Sequence, residues 1–542
     1  MQTQCTERSF GFQQVGGREI VARFDGGRVT SDGGGILLRE IEERFRLVEK
    51  FAGCFTDHRD PELIEHPLVD LLKQRLFGLC LGYEDLNDHD WLRHDALLAV
   101  VVGKKDPEGN DRESARDRGK PLAGKSTLNR LELTPVGADA ADRYKKVSAD
   151  IRAIHNFLVD AFLDQHVSPP QRIVLDLDAT DDPVHGDQLG RFFHGYYKGY
   201  CFLPLYIFCG DHPLLALLRP ADIDAYAGSV KHLDRIVKRI RRAWPTVQIV
   251  VRGDSGFCRE PLLAWCEANQ VDYVIGLAKN TRLTKILGKE LHAAQQLFEQ
   301  TGKPARVFKD FTYRTKTSWS RERRVIGKAE YLEKGANPRF VVASLDPEEF
   351  SAKTVYESEY CGRGNMENRI KEQQLFLFAD RTSCQTMRAN QLRLAFSTVA
   401  YVLLRSLREF GLKGTALEKA QADTIRLRLL KIGAVVRVSA RSGLPFLKRT
   451  HGAICSARYT TNSPRGDNQS RSTTQHKPTR RIPRPTRIAT RRSPTDETAF
   501  AVCARARKTA PHARLDVPHL AGTPPNSGHR PPAPQSLAAQ PR

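Results

Sequence analysis

Little in this chain would place it in a membrane, outside the cell or around a structural metal. Its eleven cysteines include no CxxC pair and no regular spacing. That argues against a zinc knuckle and fits a reduced, cytoplasmic setting better than a secreted one. The N-terminus lacks the continuous apolar segment of a signal peptide. The longest apolar helix candidate, Leu394 to Leu404, is too short to span a bilayer and has Arg393 and Arg405 at its ends. Acids are the scarcer charge, 63 Asp and Glu against 85 Lys and Arg, for a formal net charge of +22. A polyanionic partner is the first implication. The surplus is uneven: residues 451–542 carry 16 Lys and Arg against 4 acids, hold 13 of the 30 prolines, and keep only Tyr459 and Phe500 as aromatics. By composition this is a disordered basic tail, expected to add non-specific affinity only. The rest, in a chain of 542 residues with 40% apolar content, suffices for about three folded domains.

What is present is a set of acids in telling places. In RIVLDLDATDD, 172–182, an apolar run leads into Asp176, Asp178, Asp181 and Asp182. The pattern reads as a strand ending at a turn, with alternate acids on one face. Such carboxylates repel unless a positive charge sits between them, and a hard divalent cation is one answer; an acidic solvated turn is the other. A second β-branched run, VQIVVRG at 247–253, delivers Asp254 at its end. In open α/β sheets chemistry gathers at the carboxyl ends of strands. A third acid comes from YCGRGNMENRIKEQQ, where Tyr360, Arg363, Glu367, Lys371 and Gln374 share one helix face. Alone, that face is equally an Arg-Glu-Lys ladder on a surface helix.

Around these lie less specific signals. Residues 63–81 and 84–102 read as two helices, and GKPLAGKS at 119–126 matches the letters of a P-loop without the strand that should precede it. A helix is expected over 144–166 and another over 212–218. HGYYKGYC at 194–201 interleaves aromatics with a lysine, as a base-docking surface or a sheet core would. The helix 231–243 carries Lys231, Arg235, Lys238, Arg239 and Arg242, either a solvated face or a phosphate contact. Short alternating runs over 279–355 suggest a β-rich insertion, in which Trp319, beside Arg321, Arg323 and Arg324, is a candidate for stacking on an unpaired base or a half-buried anchor.

The passages 23–45, 175–220, 251–260 and 360–394 together resemble the DDE transposases of bacterial insertion sequences, in the IS1380 family related to the IS4 superfamily. The resemblance runs from about residue 15 to about residue 445 and fades near Arg441. It implies an α/β, RNase H-like core with a β-rich insertion behind a mainly helical N-terminal region. The divisions expected are 1–140 (helical, recognising terminal repeats), 141–278 and 356–450 (core), 279–355 (insertion) and 451–542 (tail). Carried onto this chain, the catalytic and metal-binding triad is Asp178, Asp254 and Glu367, with Tyr360 and Arg363 matching the superfamily's helix pattern; Asp176 and Asp181 are the reserve acids and Lys371 the substitute for the missing lysine. Gln374 stands where the wider superfamily has a lysine. Two Mg²⁺ ions, with Mn²⁺ as a substitute, are implied: Asp178 bridges them, Asp254 and Glu367 each hold one, and together they clamp an in-line displacement at phosphorus. The partners implied are double-stranded terminal-repeat and target DNA, bound by a homodimer in the nucleoid-associated cytoplasm. A nuclease without strand transfer and an inactive DNA-binding relic remain alternatives, and a glycosidase on Asp178 and Asp254 would need neither the third acid nor the basic helix.

Overall fold

Alternation along residues 173–178 sorts the two faces of a strand. Ile173, Leu175 and Leu177 are buried in one apolar layer, while Val174 belongs to a second layer that also holds Val250, Val274 and Tyr356. The computed structural model describes residues 9–15, 18–23 and 27–437, so the expected tail lies outside the described residues. In chain order the elements that matter are α1 (Ile36–Phe45), α2 (Leu68–Leu81), α3 (Ile151–Asp164), β1 (Arg172–Ala179), β2 (Leu205–Cys209), β3 (His212–Leu217), α4 (Ser229–Ala243), β4 (Gln248–Gly253), α5 (Glu260–Ala268), β5 (Asp272–Leu277), α6 (Gly288–Thr301), β6 (Ala305–Tyr313), β7 (Arg323–Leu332), β8 (Arg339–Ala343), α7 (Gly364–Leu377) and α8 (Met387–Ser406).

The strands form one mixed sheet in the order β3-β2-β1-β4-β5-β8-β7-β6. β1, β4 and β5 run parallel, whereas β2 and β3 on one side and β8, β7 and β6 on the other are antiparallel to their neighbours. Parallel neighbours need crossover connections, and α4 before β4 and α5 before β5 provide helical ones. α4 buries its apolar stripe in the first layer, Leu233, Ile236, Val237 and Ile240 recurring at helical spacing, while α3 gives that layer Val159 and Phe162 and turns Ile154, Phe157, Leu158 and Ala161 to the helical cluster; Asp150 caps α3 by accepting from the amides of Arg152 and Ala153. The strands from 279–355 do not stand apart from this sheet; β8 pairs with β5, so Val341 and Val342 continue the same two layers. The same segment also supplies α6.

The N-terminal helices pack on α8. Leu38, Phe51, Leu76 and Phe77 share a buried cluster with Phe396, Val399, Tyr401 and Leu403. The second helix expected over 84–102 is broken into 89–92 and 96–102, because Asp95 leaves the helix to cap the last piece, accepting from the Leu98 amide at 2.7 Å.

The helix expected over 212–218 is strand β3. Gly210, at φ 57°, turns the chain back so that Leu205 faces Leu217, and the apolar run HPLLAL is too short for periodicity to separate helix from strand. The helix expected over 144–166 begins only at Ile151, after a short strand Val147–Ala149. Among the described residues no helix is long and apolar enough to cross a membrane.

Candidate active site

The pairing of β1 with β4 brings the two aspartates together. Parallel register sets Arg252 beside Asp176 and Gly253 beside Leu177, so the next residues, Asp178 and Asp254, leave adjacent strand ends. Asp254 turns into the following short turn, its Oδ1 accepting from the Gly256 amide at 2.8 Å. Glu367 arrives from the first turn of α7. The chain enters α7 through a π-turn stretch, Val355–Tyr360, and a tight turn, Cys361–Arg363. Such irregular turns shift the angular position of every later side chain, and they recur at functional sites.

One guanidinium joins two of the three acids. Arg363 donates from Nη2 to Glu367 Oε1 at 2.5 Å, and its Nη1 lies 3.4 Å from Asp178 Oδ1. Tyr360 reaches the same corner, where a methyl group at Gly276 would stand 2.6 Å from its hydroxyl. Glycine on β5 therefore makes room for the ring. Burial pushes the Asp178 carboxyl up to about 6; Arg363 opposes the shift, and the carboxylates of Asp254 and Glu367 add to it. An acid buried beside two others is short of positive charge. Among the described residues no three His, Cys, Asp or Glu side chains stand close enough to hold a metal ion. The donor set of three carboxylates suits a hard cation such as Mg²⁺, but the spacing present here is the one that Arg363 imposes.

The supporting residues separate. Asp176 is buried in an ion pair with Arg252, at 2.5 and 2.8 Å, and Arg252 also donates to the Glu359 carbonyl. The Asp176 carboxylate thus holds the strand to the helical segment through Arg252, with both of its oxygens engaged. Asp181 takes part through its backbone: its carbonyl accepts from Gln374 Nε2 at 3.1 Å. Gln374, where a lysine was expected, tethers the loop after β1 to α7. Lys371 is exposed one turn beyond Glu367.

On α4 the cations divide in the same way. Arg235 donates to Asn156 and Arg239 grips Asp160 with two bonds, at 2.5 and 2.6 Å, fastening α4 to α3. Lys231, Lys238 and Arg242 are exposed, with Lys238 paired to Asp234.

The expectation that Trp319 stacks on a base is corrected by the structure. Its ring is only 4% exposed, edge-on to Tyr313 at 5.9 Å and beneath Arg323 at 5.3 Å. Arg323 is buried too, bridged to Glu260 at 2.6 Å and Glu267 at 2.7 Å, so its charge is spent on α5 rather than on phosphate. Arg324 pairs with Asp310 and donates to the carbonyls of Leu345 and Phe350, and only Arg321 of this group stays exposed. Trp319→Ala should accordingly cost about 3 kcal/mol of stability, read as a lower denaturation midpoint with an unchanged slope. A variant as stable as the parent would return Trp319 to a surface role.

Sequence reasoning missed the groups that hold the acids in place. Gly276 lies in no motif, and the motifs that contain Arg252 and Tyr197, whose hydroxyl donates to the Ala179 carbonyl at 3.2 Å, gave no sign of these roles. The one available signal was position: Arg252 and Gly276 are strand residues next to the two strand ends in question.

Among known proteins, a family model described as transposase DDE domain, group 1, matches residues 12–448. No curated protein sequence matches the chain. Among solved structures, a piggyBac transposase synaptic complex with hairpin DNA is similar at 10% identity, over 73% of this chain and 80% of that one, with a TM-score of 0.35, a likeness too loose to argue from.

Proposed function

The chain belongs to the family of transposase DDE domains, group 1, and on that premise we propose that it cuts DNA at inverted terminal repeats and joins the freed 3′-hydroxyl to target DNA. The observation that carries the reading is the meeting of Asp178 and Asp254 at adjacent parallel strand ends, with Glu367 drawn to them through Arg363. The order 3-2-1-4-5, with β1, β4 and β5 parallel, supports an RNase H-like core, onto whose β5 edge the 279–355 strands are grafted.

Mg²⁺ or Mn²⁺, two ions with substrate present, would be held by Asp178, Asp254 and Glu367, and when bound supplies the charge that stabilises displacement at phosphorus and sharpens the attacking oxygen. The protein's own groups do the positioning. Asp178, largely removed from water, contributes a carboxylate whose repulsion from its neighbours favours a cation. Arg363 holds Asp178 and Glu367 within reach of one another and can turn to a backbone phosphate, with exposed Lys371 one turn away for the same strand. Lys231, Lys238 and Arg242 give α4 an exposed basic edge for duplex DNA. Two chains, one for each transposon end, would form the active complex, working on DNA in the nucleoid.

The test is a labelled duplex carrying the repeats that flank the coding region, incubated with the full chain. Nicked and then joined strands are expected with Mg²⁺, and neither with a chelator. Nicking that never proceeds to joining would favour a plain nuclease. Binding without either product would make this copy an inactive relic.

A further inference from the structure

Beside the carboxylates, the loop after β1 carries a hairpin that is aromatic on the wrong side of the molecule. Strands Phe192–His194 and Gly199–Phe202 pair with each other, and the second also pairs with Asp182–Pro183, which begins at the last acid of the acidic stretch. Phe193 and Tyr200 face one another across the hairpin and are 58% and 51% exposed, while Tyr196 at the tip is 83% exposed. Rings in such positions are costly to leave in water when no core takes them. Their neighbours are cationic: Arg191 lies 4.6 Å over the Tyr200 ring, and Lys198 is exposed in the turn. Tyr197 points the other way and ties the tip to the site through its bond to the Ala179 carbonyl, the residue after Asp178. Burial pushes the pKa of that phenol up, and the carboxylates of Asp181, Asp178 and Asp254 push it further, which places the tip in their field.

We propose that this hairpin is a stacking platform for unpaired bases, holding the frayed end of a DNA strand whose scissile phosphate lies at the three acids. Aromatic rings beside cations, next to a phosphate-transfer site, match single-stranded nucleic acid, because every base offers a flat face whatever its sequence. With Trp319 packed away, these are exposed rings in the loop tied to the acids' strand. The platform lies in the loop that follows the acids' own strand, tied back to that strand by Tyr197, rather than on the inserted β6 to β8.

The proposal rests on the DNA-processing function argued above, and its test keeps the two apart. The full chain is titrated with a blunt duplex and with the same duplex bearing a short unpaired tail that contains 2-aminopurine. The tailed duplex should bind about tenfold tighter, the scale of a single base-aromatic stack, and the probe's fluorescence should be quenched on binding. Tyr196→Ala and Phe193→Ser should remove the preference and the quenching while leaving blunt-duplex affinity unchanged. Both positions are exposed, so the fold should survive, and Tyr196→Trp should restore both signals. Failure to bind either duplex would overturn the DNA reading itself. Equal affinity for the two, or a preference that survives Tyr196→Ala, would overturn the platform alone.

Discussion

Asp178→Asn should lower metal-dependent strand cleavage by at least about a thousandfold and at the same time make the metal-free protein more stable. Both effects follow from the same crowding. The Asp178 carboxyl is raised from 3.8 to about 6 because burial, Asp254 and Glu367 together outweigh Arg363. The unfolded chain ionises this group from about its ordinary value, while the fold resists ionisation until higher pH. Stability is therefore greatest below 3.8 and is lost as pH rises through about 6. At neutral pH the loss amounts to as much as about 3 kcal/mol. Asparagine carries no charge and escapes it. Denaturation of parent and variant in chelator should give nearly equal stabilities near pH 4, diverging in the variant's favour up to pH 7. Divalent cation should close the gap by stabilising the parent alone. A variant that cleaves near the parent rate would remove Asp178 from the triad, and a pH-independent difference would remove the crowding.

Asp176→Ala, two residues earlier on the same strand face, should do the opposite: about 4 kcal/mol of stability lost, with cleavage falling only as the folded fraction falls. Arg252 would keep its charge where water cannot reach it, bonded still to the Glu359 carbonyl but to no carboxylate. Burial raises the Asp176 carboxyl despite Arg252, so the intact pair is no large source of net stability. The damage lies in removing one partner. Replacing both, as Asp176→Leu with Arg252→Met, should recover most of the loss. Urea titration of the single and double variants, beside a cleavage assay under conditions where each is folded, separates the roles. A stable Asp176→Ala protein without cleavage would promote Asp176 to the active site in place of Asp178.

How much could be read from residues alone is clearest where neighbours in sequence and neighbours in space part company. Asp178 and Asp254 were legible because each closes a β-branched run, and strand periodicity is a local property of the chain. Glu367 was legible through its four-residue spacing from Arg363, whereas the irregular turns that carry Tyr360 and Arg363 into α7 were not. Trp319 stayed between two readings because a tryptophan among arginines looks the same whether it meets a base or a packed wall. The acids that claim Arg323 come from α5, 63 and 56 residues away in sequence. Strand β3 was read as a helix for a related reason: a six-residue, mostly apolar run suits either period, and only the edge of β2 chose between them.

The sequence by itself determined the chemistry available to this protein: which acids end strands, which face of α7 carries Glu367, a surplus of positive charge, and motifs that match one family across most of its length. Each of these depends on spacing within a dozen residues or on composition, and no long-range contact is needed to set it. Tertiary structure alone decided which charges are spent and which remain free. Asp176 and Arg323 go to buried ion pairs, Arg239 goes to a neighbouring helix, Arg363 joins Asp178 to Glu367, and the aromatics at 192–200 are left in water. The reason is physical. A charge or a ring is worth little or much according to how far it is removed from water and what faces it there, and both are fixed only when distant parts of the chain close on one another.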